Sequence, residues 1–169
     1  MNYLETAFGQ LSFAWKLYNY GQKGKIDLEE LDEELTFQSN SMVFVVPKAI
    51  NDPNDLQIAL ENNLTITFGA AAITLNRVRE EIGIGLPNPI NTEEEQCVAM
   101  IYQIRNAFAH DIAEPRWKLN DRYRRQYQFA GMKFNLVDKD GCPFRYEDLG
   151  GPDAFFRIRE FFSRVFKVN

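Results

Sequence analysis

Along the chain, stretches with apolar residues at every third or fourth position alternate with short segments rich in Gly, Pro, Asn and Asp. Leu4, Phe8, Leu11, Trp15 and Tyr18 fall at helical spacing and predict a helix over residues 1–20, broken between Gly21 and Gly24. Asp27 reads as the N-cap of a second helix running to about Phe37, with Glu29 and Glu30 in its first turn where the dipole favours anions. Its acidic face, Glu29, Glu30, Asp32, Glu33 and Glu34, is expected to be solvated. Residues 42–46 form a short apolar run closed by Pro47, a strand or a buried loop, between which periodicity does not decide. After the turn Asn51-Asp52-Pro53-Asn54, a long helix is expected over 55–82. Leu56, Leu60, Leu64, Phe68, Ala72, Leu75 and Val78 lie roughly on one side of it, and the small residues Gly69-Ala70-Ala71-Ala72 suit the close approach of another helix. This helix therefore belongs at the centre of a bundle. Gly83, Gly85, Pro87 and Pro89 end it; they do not form a phosphate-binding glycine loop, which would follow a strand.

Thr92-Glu93-Glu94-Glu95 is a capping-box sequence. The helix it opens carries Val98, Met100, Ile101, Ile104 and Phe108, and is expected to reach about His110–Ile112, short of Pro115. The period then changes. Residues 123–130 and 132–137 alternate around Gly131 and predict a β-hairpin or meander. A last helix over 154–168 follows, with Phe155, Ile158, Phe162, Val165 and Phe166 inward and Arg157, Arg159, Arg164 and Lys167 outward. The expected fold is a mainly α single domain over 1–169, a bundle of four to five helices with a small β-hairpin insertion near 123–137.

A hydrophobic fraction of 45%, with 14% aromatic residues, supplies a sizeable core and argues against disorder. The two cysteines, Cys97 and Cys142, form no CxxC pair, which speaks against a disulfide framework or a zinc knuckle. Cys97 lies in an apolar helical pattern and Cys142 in a Gly-Cys-Pro turn. No stretch approaches the ~18 consecutive apolar residues of a membrane span, and the N-terminus lacks the pattern of a signal peptide. A cytoplasmic protein without a membrane partner is the expectation. The net charge of −5 is uneven. Residues 1–104 carry 6 Lys/Arg against 15 Asp/Glu, net −9, and residues 105–169 carry 13 against 9, net +4. An anionic partner would dock on the C-terminal part; alternatively, the two faces attract each other within the fold or across a dimer.

One constellation carries chemistry. His110, the only histidine, follows Arg105 by five residues in Arg105-Asn106-Ala107-Phe108-Ala109-His110. An imidazole suits proton transfer from a ribose 2′-hydroxyl, and a guanidinium matches the charge that gathers on a phosphoryl group under attack. Asn106 is placed to orient the arginine or to bond a phosphate oxygen. In an ideal helix, positions five apart differ by about 140° around the axis. Arg105 and His110 converge only where the helix unwinds near His110, or where two subunits assemble the site. The bland alternative is that both side chains favour the helix C-terminus and pair with Asp111 or Glu114. Further along, Arg116, Lys118, Arg122, Arg124 and Arg125 are interleaved with Trp117, Tyr123 and Tyr127. Cations with aromatics suit single-stranded RNA, and a hairpin with one apolar and one charged face explains the same pattern. A lone histidine builds no His-rich metal site, no cofactor motif is present, and neither metal nor cofactor is expected.

The segment Arg105–His110 resembles the R-x(4–6)-H motif of the HEPN superfamily, with a polar residue after the arginine. Residues 104–117 are also similar to small bacterial HEPN-like proteins of unknown function in which the motif is followed by Pro-x-Trp, here Pro115-Arg116-Trp117. The resemblance implies a dimeric helical bundle and metal-independent cleavage of RNA in a defence or toxin–antitoxin setting. It further implies a groove between protomers, Arg105, Asn106 and His110 as the catalytic set, and an antitoxin or regulatory partner. Many members of that superfamily only bind, so a catalytically silent dimeric interaction module is the alternative, and an immunity component whose nuclease a partner restrains is a third. The hairpin and the acidic net charge depart from the plain family pattern.

Overall fold

The computed structural model describes residues 2–168. Asn2 opens helix α1 (Tyr3–Gln22) with a capping box: its side chain accepts from the Glu5 N–H at 2.9 Å, and the Glu5 carboxylate accepts from the Asn2 N–H at 3.1 Å. The expected start at Met1 lies outside the described residues. Asp27 caps α2 as expected, yet α2 spans only Leu28–Leu31. Past it the chain forms β1 (Leu35–Ser39), which pairs antiparallel with β2 (Met42–Val46), Phe37 opposite Phe44. The helix expected to reach Phe37 is thus cut short, because Thr36 and Phe37 find ladder partners in Val45 and Phe44. Asn40 turns the hairpin with φ +55°. Both strands are exposed along their whole length.

Helix α3 (Pro53–Glu81) begins two residues earlier than expected. Asp52 accepts from the N–H groups of Asn54 (2.8 Å) and Asp55 (3.0 Å), and Pro53 occupies the first helical position, where its missing N–H costs nothing. By length and composition α3 is long and apolar enough to cross a membrane, with a mean hydropathy of 1.2 over 18 residues, although Glu61, Asn62, Asn63, Thr65 and Thr67 interrupt its apolar residues and a core helix meets the same criterion. Its apolar residues divide between two faces. Leu60, Leu64, Phe68, Ala71, Ala72 and Leu75 are buried, and Ile58, Ile66 and Ile73 form an outward stripe with Asn62 and Ala70.

Helix α4 (Glu93–Phe108) carries the predicted capping box, Thr92 Oγ1 accepting from the Glu95 N–H at 3.2 Å and the Glu95 carboxylate from the Thr92 N–H at 2.9 Å. β3 (Gln126–Phe129) and β4 (Met132–Asn135) form the expected hairpin, with Tyr127, Phe129, Met132 and Phe134 inward and Gln126, Gln128, Lys133 and Asn135 outward. Side chains of the first turn of α4 hold this hairpin: Gln96 accepts from the Gln128 N–H at 2.7 Å and Glu93 from the Ala130 N–H at 3.1 Å. Helix α5 (Ala154–Phe166) closes the molecule. Five α-helices and two small two-stranded sheets make a mainly α fold among the described residues. The core is aromatic at its centre. Phe68 of α3 stacks on Phe155 of α5 at 4.5 Å and on Phe108 of α4 at 5.3 Å, and Phe8 of α1 meets Phe155 at 5.0 Å. Cys97 is buried in the core and Cys142 is exposed; burial pushes the Cys97 thiol pKa well up.

Candidate functional site

Arg105 and Asn106 occupy the last turn of α4, both half-buried, and Arg105 Nη1 donates to Asn106 Oδ1 at 3.1 Å. The helix does not continue to His110–Ile112 as expected. It ends at Phe108, where the Ala109 N–H reaches back to Asn106 O at 3.4 Å. The carbonyl of Ala107, which a continuing helix would bond to the Asp111 N–H, instead accepts from the Arg116 N–H at 3.1 Å. Asp111 in turn commits its carboxylate to its own loop, accepting from the N–H groups of Ala113 (2.9 Å) and Glu114 (3.0 Å). These bonds hold the Asp111 carboxyl below the usual aspartate range.

His110 therefore lies on a surface loop outside the helical phase, with its side chain exposed. Among the described residues it makes no side-chain hydrogen bond or ion pair, and neither it nor Arg105 pairs with Asp111 or Glu114. Arg105 and Asn106 are thus brought together, while His110 stands free of both within one chain.

A further arginine, buried in α3, lies within electrostatic range of Arg105. Arg79 of α3 is 4% exposed and donates to Asn76 Oδ1 at 3.0 Å, to Glu80 Oε1 at 2.8 Å and to the Ile84 carbonyl. Its surroundings include Tyr102, Tyr123 and Arg105, and burial, only partly offset by Glu80, lowers its pKa from the usual arginine value. The available signal was its phase: Arg79 follows Phe68 and Leu75 at eleven and four positions, on the buried side of α3.

The basic segment that follows divides. The rings of Trp117, Tyr123 and Tyr127 are buried, so none offers a free face for a base, and their aromatic spacing is accounted for by core packing. Trp117 Nε1 donates to Asp148 Oδ2 at 2.8 Å. Arg122 covers the Tyr123 ring at 4.5 Å, and Arg124 pairs with Asp140 at 2.6 Å and with Asp121 at 3.4 Å. Arg125 is half-buried, with its Nε enclosed. Arg116 and Lys118 are exposed, Arg116 donating to Gly141 O at 3.3 Å. A cavity of about 360 Å³ opens beside the His110 loop, lined by Phe108, Glu114, Pro115, Arg116, Phe144 and Tyr146. Among the described residues, no group of three or more His, Cys, Asp or Glu side chains is placed to hold a metal ion. Comparison of the chain with protein-family models, with curated proteins and with solved structures finds no match.

Proposed function

We propose that the chain is a HEPN-type endoribonuclease that cleaves RNA without a metal and acts as a homodimer. The supporting observation is the local geometry of the motif: an arginine braced by Asn106 on the last helical turn, and an exposed histidine released from that helix two residues after its end. In this reading the Arg105 guanidinium binds the scissile phosphate and offsets the charge that builds up on its oxygens. His110 acts as general base on the 2′-hydroxyl or as general acid at the departing 5′-oxygen. The 2′-oxygen bonds to phosphorus, the bond from phosphorus to the 5′-oxygen breaks, and the leaving oxygen takes up a proton. The products are a 2′,3′-cyclic phosphate and a 5′-hydroxyl.

Dimerisation supplies what one chain lacks, a second motif facing the first. The outward stripe of Ile58, Ile66 and Ile73 on α3 supports this part of the reading, because it runs along the helix whose Gly69 abuts Phe108 and Ile112, on either side of His110. A defence or toxin–antitoxin role, with a restraining partner, belongs to the same reading.

RNA cleavage in EDTA by the wild type, Arg105→Ala and His110→Ala tests it, with the product ends analysed. The wild type is expected to leave 2′,3′-cyclic phosphates, and each variant to lose roughly a hundredfold or more in rate. Identical traces from all three proteins would overturn the assignment. The exposed apolar hairpin β1–β2 favours the second reading, a catalytically silent binding module; that reading predicts identical RNA traces and unchanged host growth on expression of wild type and His110→Ala.

A further inference from the structure

A second cavity, of about 450 Å³, opens between α1, α3 and the turn at Tyr146–Leu149. Three aromatic rings form its wall. Trp15 meets Tyr146 edge-on, with centroids 5.1 Å apart and planes at 65°, and meets Tyr18 at 6.1 Å and 88°. Two carboxylates, Glu61 and Glu147, stand exposed on its lining, and among the described residues no lysine, arginine or histidine lines it. Burial, with Glu147 adding to it, pushes the Tyr146 phenol up to about 12, and a hydrogen bond with Thr65 works against the shift, so the ring stays neutral at physiological pH. The corner thus places aromatic rings and negative charge together. A phosphate-bearing ligand would meet only repulsion from charge here, and a neutral apolar ligand would leave the carboxylates unused.

We propose that this corner is a binding site for a small organic cation, an alkylated ammonium group held against the Trp15, Tyr18 and Tyr146 rings and balanced by Glu61 and Glu147. The ring quadrupoles attract a cation within about 6 Å of their centroids. Trp15 is also the site's reporter, because it lines the cavity, whereas the other tryptophan, Trp117, is buried and does not line it. The site stands independently of the RNA chemistry proposed above.

Titration of the intact protein with choline, followed by tryptophan fluorescence and calorimetry, tests the proposal. The controls are dimethylbutanol, the uncharged carbon isostere of choline, and guanosine. Choline is expected to bind at least about tenfold tighter than the isostere. Tyr18→Ala and Glu147→Gln are each expected to weaken choline several-fold, and Glu147→Gln, at an exposed position, to do so while leaving the thermal midpoint unchanged. A peptide carrying trimethyllysine separates the two sources of such a cation: tighter binding than choline assigns the site to a protein side chain, and equal or weaker binding to a free small molecule. Equal binding of choline and its isostere would overturn the proposal, as would no detectable choline binding. Guanosine binding that choline does not match would overturn it in favour of a nucleobase pocket.

Discussion

Gly69 of α3 faces Phe108 and Ile112, on either side of His110. A methyl group placed there would stand 2.8 Å from both Phe108 Cδ1 and Ile112 Cγ1, closer than carbon atoms tolerate. Gly69→Ala is therefore expected to destabilise the fold by about 1–3 kcal/mol, as overpacking of a core does, although alanine is the better helix former. Chemical denaturation measures this, and unchanged stability would mean that the helices separate freely at this point. Gln103 offers the opposite case. It is fully buried, and neither amide atom has a hydrogen-bond partner among the described residues. An unpaired buried amide costs about 1–3 kcal/mol, so Gln103→Met, similar in volume and without that cost, is expected to raise the midpoint of denaturation. A loss of stability would show that the amide is engaged.

At the scale of elements, the turn Tyr146–Leu149 is tied to the segment after the motif through Asp148. Its side chain is 6% exposed and receives Trp117 Nε1 at 2.8 Å, Lys139 Nζ at 2.5 Å and the Arg145 N–H at 3.2 Å. Asp148→Ala strands a buried indole N–H and an ammonium, and should cost about 2–4 kcal/mol in a denaturation titration. A change below the error of the titration would show that Trp117 finds another acceptor. Elements set by near neighbours were legible in the sequence. The Thr92 capping box and the alternation of 126–135 need only residues a few positions apart. Elements settled by distant partners were not. The end of α4 is one: it stops at Phe108 because the Arg116 N–H, nine residues beyond Ala107, takes its carbonyl, whereas the strand β1 was missed although its partners in β2 are near, because the acidic run before it read as a helix. The same distinction applies to the site. Asn106 as a brace for Arg105 follows from adjacency, whereas Arg79 reaches the site only through the packing of α3 on α4. The pattern of Trp117, Tyr123 and Tyr127 was visible in the sequence, but core packing rather than an exposed RNA surface accounts for it.

For the whole molecule, the hairpin β1–β2 stands apart from the bundle. Leu35, Phe37, Met42, Val43, Phe44, Val45 and Val46 are each about half exposed or more, and the two strands make their main contacts with each other. A lone two-stranded hairpin contributes little stability of its own. Replacing residues 34–47 with a short Gly/Ser linker is expected to leave the thermal midpoint within about 2 °C, a shift of at most about 1 kcal/mol for a chain this size, and to reduce self-association at high concentration in sedimentation experiments. A large fall in the midpoint would instead mark the hairpin as part of the cooperative fold. It lies just past the acidic run Glu29–Glu34, in the part of the chain with net charge −9, so any surface it covers in an assembly is favoured to be basic.

The Arg116 N–H bond to Ala107 O pinches the chain shut at the foot of the His110 loop, and the Phe144 N–H bond to Pro115 O at 2.9 Å secures the far side. Residues between these two points can be added or removed without altering the register of α4 or of the segment that follows. Doubling such a loop costs only about 0.6 kcal/mol in closure entropy. Insertion is therefore tolerated on the histidine side of the motif and not on the arginine side, where every added residue would rotate Arg105 by 100° around the helix. In this fold the loop that carries the histidine can change length while the arginine stays the fixed point.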